Sequence, residues 1–345
     1  MNKRKVIQLL LTFQQLPGIG SASILDLLKE TDLDQIQDYT FEDLQETRVP
    51  RIQRGLEKDA ITAFSWQAGF DRAERIMDQC GELDIKIITV LDEAYPANLK
   101  VIRLHPVLLY VKGNADVINS KKSAAVIGTR EPTAYAVKMD ESISRQLGKD
   151  GYVIISGLAK GCDCHAHLAA VKNGYPTAAI LGQGLGTRTY PAENAGLAEE
   201  ILETGGALVS EYAPYVGVNG RNLVARDAWQ AGMSDGVISI ETKTKGGSLH
   251  AMEHALKYRR PLGILDHKAC AEFRNDPGFA DIPEAQGLEM FAEKAPDQVY
   301  RLFQLGSLEK FEQAMERERR NRLGLEAAPK EDEPKGDTPQ QLSLF

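Results

Sequence analysis

The sequence predicts an α/β protein: a doubly wound parallel sheet preceded by a helical module and followed by a disordered polar tail. Three observations carry this expectation. Short β-branched apolar runs recur between Ala124 and Leu265, each followed by a segment of helical periodicity, the pattern of a parallel sheet with helices on both faces. Helix signals dominate from Lys5 to about Cys80. Ala327 to Gln340 is rich in Pro, Lys, Glu and Asp, too polar to fold alone. The expected divisions are a helical adaptor over 1–84, the sheet domain over 85–295, a helical segment over 296–325 and a tail over 326–345.

The organising stretch runs from Ala124 to His167. Ala124 to Ile127 reads as a buried strand delivering Gly128-Thr129-Arg130, Thr133 to Gly148 as a helix, and Tyr152 to Ile155 as a second strand delivering Ser156-Gly157-Leu158-Ala159-Lys160-Gly161. The alternation then continues. Strands are expected at Thr177 to Leu181, Ala207 to Glu211, Gly236 to Glu241 and Pro261 to Leu265, with helices at Asn194 to Thr204, Leu223 to Met233 and Gly247 to Arg259. Ligands of such sheets sit beyond the carboxyl ends of the strands. Here those ends are glycine-rich, including Gly182-Gln183-Gly184-Leu185-Gly186 and Lys245-Gly246-Gly247-Ser248, and they carry Arg130 and Lys160. Close backbone approach plus positive charge suits an anionic, phosphate-bearing ligand.

Composition narrows the rest. A chain of 345 residues with 43% hydrophobic residues can bury a sizeable core with a smaller module attached. A net charge of −8 excludes a surface that attracts polyanions everywhere, but a local basic groove is enough for nucleic acid. Cysteines at 80, 162, 164 and 270 are too few and irregular for a disulfide framework and fit a reducing compartment. The basic start and the apolar run from Val6 to Phe13 imitate a signal peptide, but the run is short and leads into Pro17-Gly18. No run approaches transmembrane length, so a soluble, cytoplasmic protein is expected, with no membrane partner.

In the N-terminal module, Leu16-Pro17-Gly18-Ile19-Gly20-Ser21-Ala22-Ser23 has the form of a helix-hairpin-helix turn, whose glycines expose backbone N–H groups beside a helix N-terminus where a phosphate can sit. A plain αα-hairpin in a protein-docking module fits the same residues. Trp66 and Phe70, at helical spacing, are expected in the core and not as stacking residues. A β-type run, Ile85 to Val90, follows. Then Tyr95-Pro96 and His105-Pro106-Val107-Leu108-Leu109-Tyr110-Val111-Lys112-Gly113-Asn114 lead into the sheet domain.

That lead-in resembles the corresponding segment of the DNA-processing protein A family, DprA or Smf. Gly128-Thr129-Arg130, then Ser156 to His167, then Leu181-Gly182-Gln183-Gly184 with Tyr190-Pro191-Ala192-Glu193-Asn194, then Ser210-Glu211, are similar to that family's Rossmann-like core in order and spacing. The resemblance implies a helix-hairpin-helix or SAM-like module on a Rossmann-like domain. It also implies a homodimer and binding of single-stranded DNA during DNA uptake, recombination or repair, with loading of the recombinase RecA. The residues expected to hold DNA or a nucleotide are Gly128, Thr129, Arg130, Ser156, Gly157, Lys160 and Gly161, then Gly182, Gly184, Arg221, Arg226, Gly246 and Gly247. Arg130 and Lys160 are the first choices for phosphate.

Two departures from the family pattern stand out. Arg221-Asn222-Leu223 replaces the family's Arg-Asn-Arg, losing one guanidinium unless Arg226, Trp229 or Lys243 compensates. Lys245-Gly246-Gly247-Ser248-Leu249-His250-Ala251-Met252-Glu253 is similar to the signature of LOG-type phosphoribohydrolases, although Leu249 stands in place of a motif glycine. By that likeness Glu253 with Arg226 would assist cleavage of a nucleotide's N-glycosidic bond. A nucleotide sensor or hydrolase is therefore the alternative reading; otherwise no catalytic residue and no cofactor is expected.

Cys162-Asp163-Cys164-His165-Ala166-His167 invites zinc, but Cys-x-Cys spacing crowds one ion, and Asp163 is expected to cap the helix that starts there. His250-x-x-Glu253-His254 fits an inverted zinc-protease motif without an identifiable third ligand. No metal is expected at either. From Asp297 to Leu323 the pattern is helical. The tail ends Gln341-Leu342-Ser343-Leu344-Phe345, which looks like the motif by which repair proteins grip the sliding clamp, Leu344 and Phe345 entering an apolar pocket and Gln341 bonding at its rim.

Overall fold

The computed structural model describes residues 2–269 and 282–325. Five helices come first: α1 (Lys3–Gln15), α2 (Ser21–Glu30), α3 (Phe41–Gln45), α4 (Pro50–Glu57) and α5 (Ala63–Glu82). Their starts follow from side chains that accept the first free amides. Asn2 takes the Lys5 N–H, and Thr40 and Thr62 open reciprocal capping boxes with Asp43 and Ser65. Phe13 packs edge-on against Tyr39 at 5.7 Å and Trp66 at 5.8 Å, so Trp66 belongs to the interior of this module. Leu10, Leu11, Phe13, Ile24, Leu27 and Ile76 are continuous with the core of the sheet.

The chain then enters the sheet with β1 (Ile85–Thr89), α6 (Ala97–Lys100) and β2 (Leu108–Gly113). Strands and helices alternate from there: β3 (Ser123–Ile127), α7 (Ala134–Lys149), β4 (Val153–Ser156), α8 (Cys162–Lys172), β5 (Thr177–Leu181), α9 (Ala195–Glu203), β6 (Ala207–Ser210), α10 (Gly220–Met233), β7 (Gly236–Ser239), α11 (Ser248–Lys257), β8 (Leu262–Leu265), α12 (Pro283–Lys294), β9 (Val299–Leu302) and α13 (Leu305–Leu323). Among the described residues they make a nine-stranded sheet in the order β1-β2-β6-β5-β4-β3-β7-β8-β9. From β6 to β9 every pairing is parallel, and the strands β3 to β8 match the six expected runs. All residues of β3, β4 and β5 are buried, as strands covered on both faces must be.

Two strands were not anticipated. β2 pairs antiparallel with both β1 and β6, Tyr110 opposite Ile87 and Ser210, and so extends the sheet beyond its parallel part. β9 occupies the start of the segment read as helical from Asp297 to Leu323. Four residues, Val-Tyr-Arg-Leu, carry too little local signal, and parallel pairing with β8 from Val299↔Leu262 to Leu302↔Leu265 decides their conformation. α13 lies over glycines: a methyl group on Gly236 would stand 2.6 Å from Met315 Cγ, and one on Gly263 3.4 Å from Phe311 Cε2.

The topology fixes where a site can form. β3 leads through β4 and β5 to β6 on one side, and α10 then carries the chain back to β7 on the other side of β3. The order therefore reverses between β3 and β7, which leaves a crevice beyond their carboxyl ends.

Candidate functional site

A cavity of about 540 Å³ occupies that crevice. Its walls are the loop after β3, Gly128 to Glu131; the loop after β7, with Thr242, Lys243, Lys245, Gly246, Gly247 and Ser248; and the face of α10 carrying Leu223, Val224, Arg226, Asp227 and Gln230. Asp163 and Ala251 close it off below.

Backbone hydrogen bonds hold the first loop in place. The Thr129 N–H donates to the Glu241 carbonyl at 2.7 Å, and the Cys162 N–H donates to the Thr129 carbonyl at 3.1 Å. Gly161 has φ +76°, and a methyl group there would lie 2.4 Å from the Thr129 carbonyl oxygen, so both the turn and the close approach require glycine. Glu241, fully buried beneath the loops, accepts the Thr133 N–H at 2.9 Å and hydroxyl at 2.7 Å, and lies 3.0 Å from His267 Nε2. The loop after β3 and the start of α7 are thereby tied to β7.

Arg226 is the central side chain. It is 6% exposed, and its guanidinium lies against the backbone at Gly157, where an added methyl group would meet Nη1 at 1.2 Å. Asp163 Oδ2 is 3.6 Å from Nη1 and Asp227 Oδ1 is 3.3 Å from Nε, yet neither nitrogen has a well-directed hydrogen bond. Burial raises the Asp163 carboxyl above the usual range, against the pull of Arg226 and the Gly157 and Ala159 amides. Burial likewise pushes Asp227 up to about 6, with Arg226 opposing. His167, buried below, is pushed down to about 3 by burial and by Arg226. The result is a guanidinium with donors to spare beside two carboxyls that burial makes harder to ionise. That arrangement accepts an anion.

Of the residues expected to bind, Gly128, Thr129, Arg130, Arg226, Gly246 and Gly247 come together around this cavity. Arg130 stands exposed at its mouth. The N-terminus of α11, at Gly247 and Ser248, also borders it.

The others have different work, each for a local reason. Ser156 is fully buried and its hydroxyl donates to the Val126 carbonyl at 2.6 Å, tying β4 to β3. Gly157 and Gly161 are spacers for Arg226 and for the loop after β3, and the Gly157 N–H is spent on Asp163 at 3.1 Å. Gly182 admits the backbone of Asn222 and Leu223, and the Gly184 N–H is spent on the Val216 carbonyl at 2.8 Å. Lys160 lies off the cavity wall and pairs with Glu193 at 2.6 Å. Arg221 is exposed in the first turn of α10, away from the wall.

The proposed compensators also part company. Leu223 stands on the wall itself, Lys243 reaches it while pairing with Glu284 at 3.1 Å, and the Trp229 indole donates to Glu211 at 2.8 Å away from it. Glu253 is exposed and does not line the cavity, so the pair with Arg226 that the hydrolase alternative needs is not assembled. Asp163 does not cap α8, whose N-cap is Gly161; its carboxylate closes the preceding loop instead. The zinc-like run diverges: Cys162 is buried against Gly128, His165 Nδ1 meets Glu141 at 3.1 Å, and His167 Nδ1 meets Thr177 at 2.8 Å. Gln341 to Phe345 lie outside the described residues.

Sequence reasoning passed over several wall residues, among them Asp227, Gln230 and Lys245. Asp227 and Gln230 follow Arg226 on α10, Gln230 one turn on, a spacing that could have flagged it. Lys245, exposed on the wall and without an ion pair among the described residues, was read only as part of a glycine loop.

Comparison with known proteins agrees with this architecture. The sequence profile of the family described as DNA recombination-mediator protein A matches residues 86–277. The DNA processing protein DprA of Bacillus subtilis is 30% identical over 274 residues, covering 75% of this chain and 90% of the relative. The solved DNA processing protein A of Streptococcus pneumoniae superposes with a TM-score of 0.65 at 25% identity, over 87% of this chain and 94% of the other. That of Helicobacter pylori, whose structure was described for its single-stranded DNA binding mode, gives 0.56 at 25% identity over 68% and 96%. With the profile spanning more than half of the sequence and the Bacillus subtilis relative 30% identical over 90% of its length, this chain belongs to the DNA recombination-mediator protein A family, the DprA or Smf proteins of DNA processing.

Proposed function

We propose that the protein binds single-stranded DNA in the β3/β7 cavity, the phosphodiester backbone lying across Arg130, Lys245 and Arg226. The observation that carries this reading is Arg226, a buried guanidinium lining a switch-point cavity, two of whose nitrogens face carboxylates yet make no well-directed hydrogen bond. The single-stranded DNA binding described for the Helicobacter pylori relative supports it. The leucine at position 223 leaves the wall less cationic than the family pattern, and Lys245 supplies a charge close by.

The wider reading follows the family. The chain divides into an adaptor over 1–84, a Rossmann-like domain over 85–295, a segment over 296–325 that adds β9 to the sheet of that domain, and a tail over 326–345. It acts in the cytoplasm as a homodimer in DNA uptake, recombination or repair, loads RecA onto the bound strand, and is tethered to the sliding clamp through Gln341 to Phe345. The family resemblance supports the dimer and RecA, and the pentapeptide at the end of a polar arm supports the clamp.

Titration of the purified protein with labelled single-stranded DNA, with nucleoside monophosphates as competitors, tests the central claim. Binding that is weakened by Arg130→Ala and resists monophosphates is expected. Release of free base from a monophosphate, or full competition at equimolar monophosphate, would replace DNA with a nucleotide as the ligand.

A further inference from the structure

A second cleft of about 550 Å³ lies between the N-terminal helices and the β6 end of the sheet. The hairpin turn contributes Gly20 and Ser21, α5 contributes Arg72 and Arg75, and the loop after β6 contributes Tyr212 and Tyr215. Arg72 and Arg75, three apart on one helix face, are exposed and without an ion pair among the described residues. The one carboxylate on the wall among the described residues, Glu211, is engaged by the Trp229 indole N–H at 2.8 Å. α2, ten residues long, begins at the cleft with no side chain capping its first amides.

The loop after β6 is a fixed platform. The Gly184 N–H donates to the Val216 carbonyl and the Gly186 N–H to the Pro214 carbonyl, both at 2.8 Å. Tyr215 is 55% exposed, its ring seated beside Gly186. Val216, Val218 and Val224 are exposed along the same stretch of chain, which leaves the cleft at Val216 and reaches the β3/β7 cavity at Val224. Both depressions therefore open on the carboxyl edge of one sheet. β6 and β3 are three strand spacings apart, about 14 Å, a gap that a few nucleotides of single strand cross.

We propose that this cleft is a second seat for the same single strand, with phosphates on Arg72 and Arg75 and a base stacked on Tyr215. The inference rests on DNA occupying the β3/β7 cavity. Free guanidinium groups beside an exposed aromatic ring are what a sequence-tolerant single-strand site requires, and an exposed apolar path between two cationic depressions is what unpaired bases can cover. The hairpin turn thus acts as part of a composite wall and not as a free-standing motif.

The test compares labelled oligothymidines of about four and about twenty nucleotides, the range that one such module covers. Wild type, Arg130→Ala and the triple variant Arg72→Gln/Arg75→Gln/Tyr215→Ala, all full-length, are titrated over a series of salt concentrations. Equal melting midpoints verify that the exposed substitutions leave the fold intact. Wild type should bind the longer strand more tightly. The triple variant should lose about tenfold on the longer strand, with a salt slope shallower by about 1.4, and nothing on the shorter one. Arg130→Ala should weaken both. Wild-type affinity of the triple variant for the longer strand would overturn the second seat and leave the cavity reading standing. Equal losses on both strands would also overturn it. If wild type binds neither strand, both readings fall.

Discussion

Arg226 is held by one absent side chain and two weakened acids. Gly157 gives the guanidinium room, Asp163 faces one nitrogen and Asp227 another, and burial raises both carboxyls. Asp227 ties the site to pH. Its folded value of about 6 lies above the ordinary 3.8, so the folded protein holds the proton more tightly than the unfolded chain does. This group's contribution to stability is therefore complete below the ordinary value and declines as pH rises to about 6. Arg226, Asp163, His250 and Arg130 act on the same carboxyl, and removing its charge favours an anion. Single-strand affinity should increase from pH 7 to pH 5 in wild type, and Asp227→Asn at pH 7 should match the wild-type value at pH 5 in anisotropy titrations. A pH response that survives Asp227→Asn would assign it to another group. Arg130 and the loop glycines were legible because strand-end loops and the family pattern name them, and Arg226 because it could replace the guanidinium lost at Leu223 and matched the likeness to LOG-type enzymes. Ser156, Gly182 and Gly184 lie in the same motifs, yet they serve contacts within the fold that no spacing reveals. Asp227 and Lys245 escaped because nothing in sequence separates them from ordinary helix and loop residues.

Elements show the same division between local and distant causes. α7 begins where Thr133 accepts the Ala136 N–H, a start signal readable in the sequence. β9 depends on β8, which precedes it by more than thirty residues, and a four-residue strand carries no periodicity to announce that. α13 is fastened to the foot of the sheet by Asp235. That carboxylate accepts the Ser123 N–H at 3.0 Å and the Asn98 amide at 2.7 Å, and meets Arg322 at 3.2 Å and Arg319 at 3.4 Å. Asn98 Oδ1 in turn accepts from Arg322 Nη2 at 2.9 Å, which brings α6 into the same network. Asp235→Ala strands buried guanidinium groups and should cost about 3–5 kcal/mol in urea unfolding. A loss below about 1 kcal/mol, the worth of a surface ion pair, would mean that the network contributes nothing beyond its packing.

Across the whole molecule, the carboxyl edge of one sheet collects the cationic loops while the opposite edge is given to packing. This explains how a chain of net charge −8 can offer a polyanion a track without being basic overall. The switch point was legible because strand–helix alternation fixes the sheet type. The join between the N-terminal helices and β6 was not, because it depends on side chains far apart in sequence. The terminal pentapeptide makes its own claim. A peptide of residues 336–345 should bind purified sliding clamp, and its Leu344→Ala/Phe345→Ala form should not; equal binding of the two would remove the tether.

Strand binding at the β3/β7 cavity depends above all on its positive charge. Single-strand affinity measured against salt for wild type and for Arg130→Ala/Lys245→Ala tests it most directly. Loss of two phosphate contacts should make the slope of log affinity on log salt shallower by about 1.4. An unchanged slope would place the strand elsewhere on the protein.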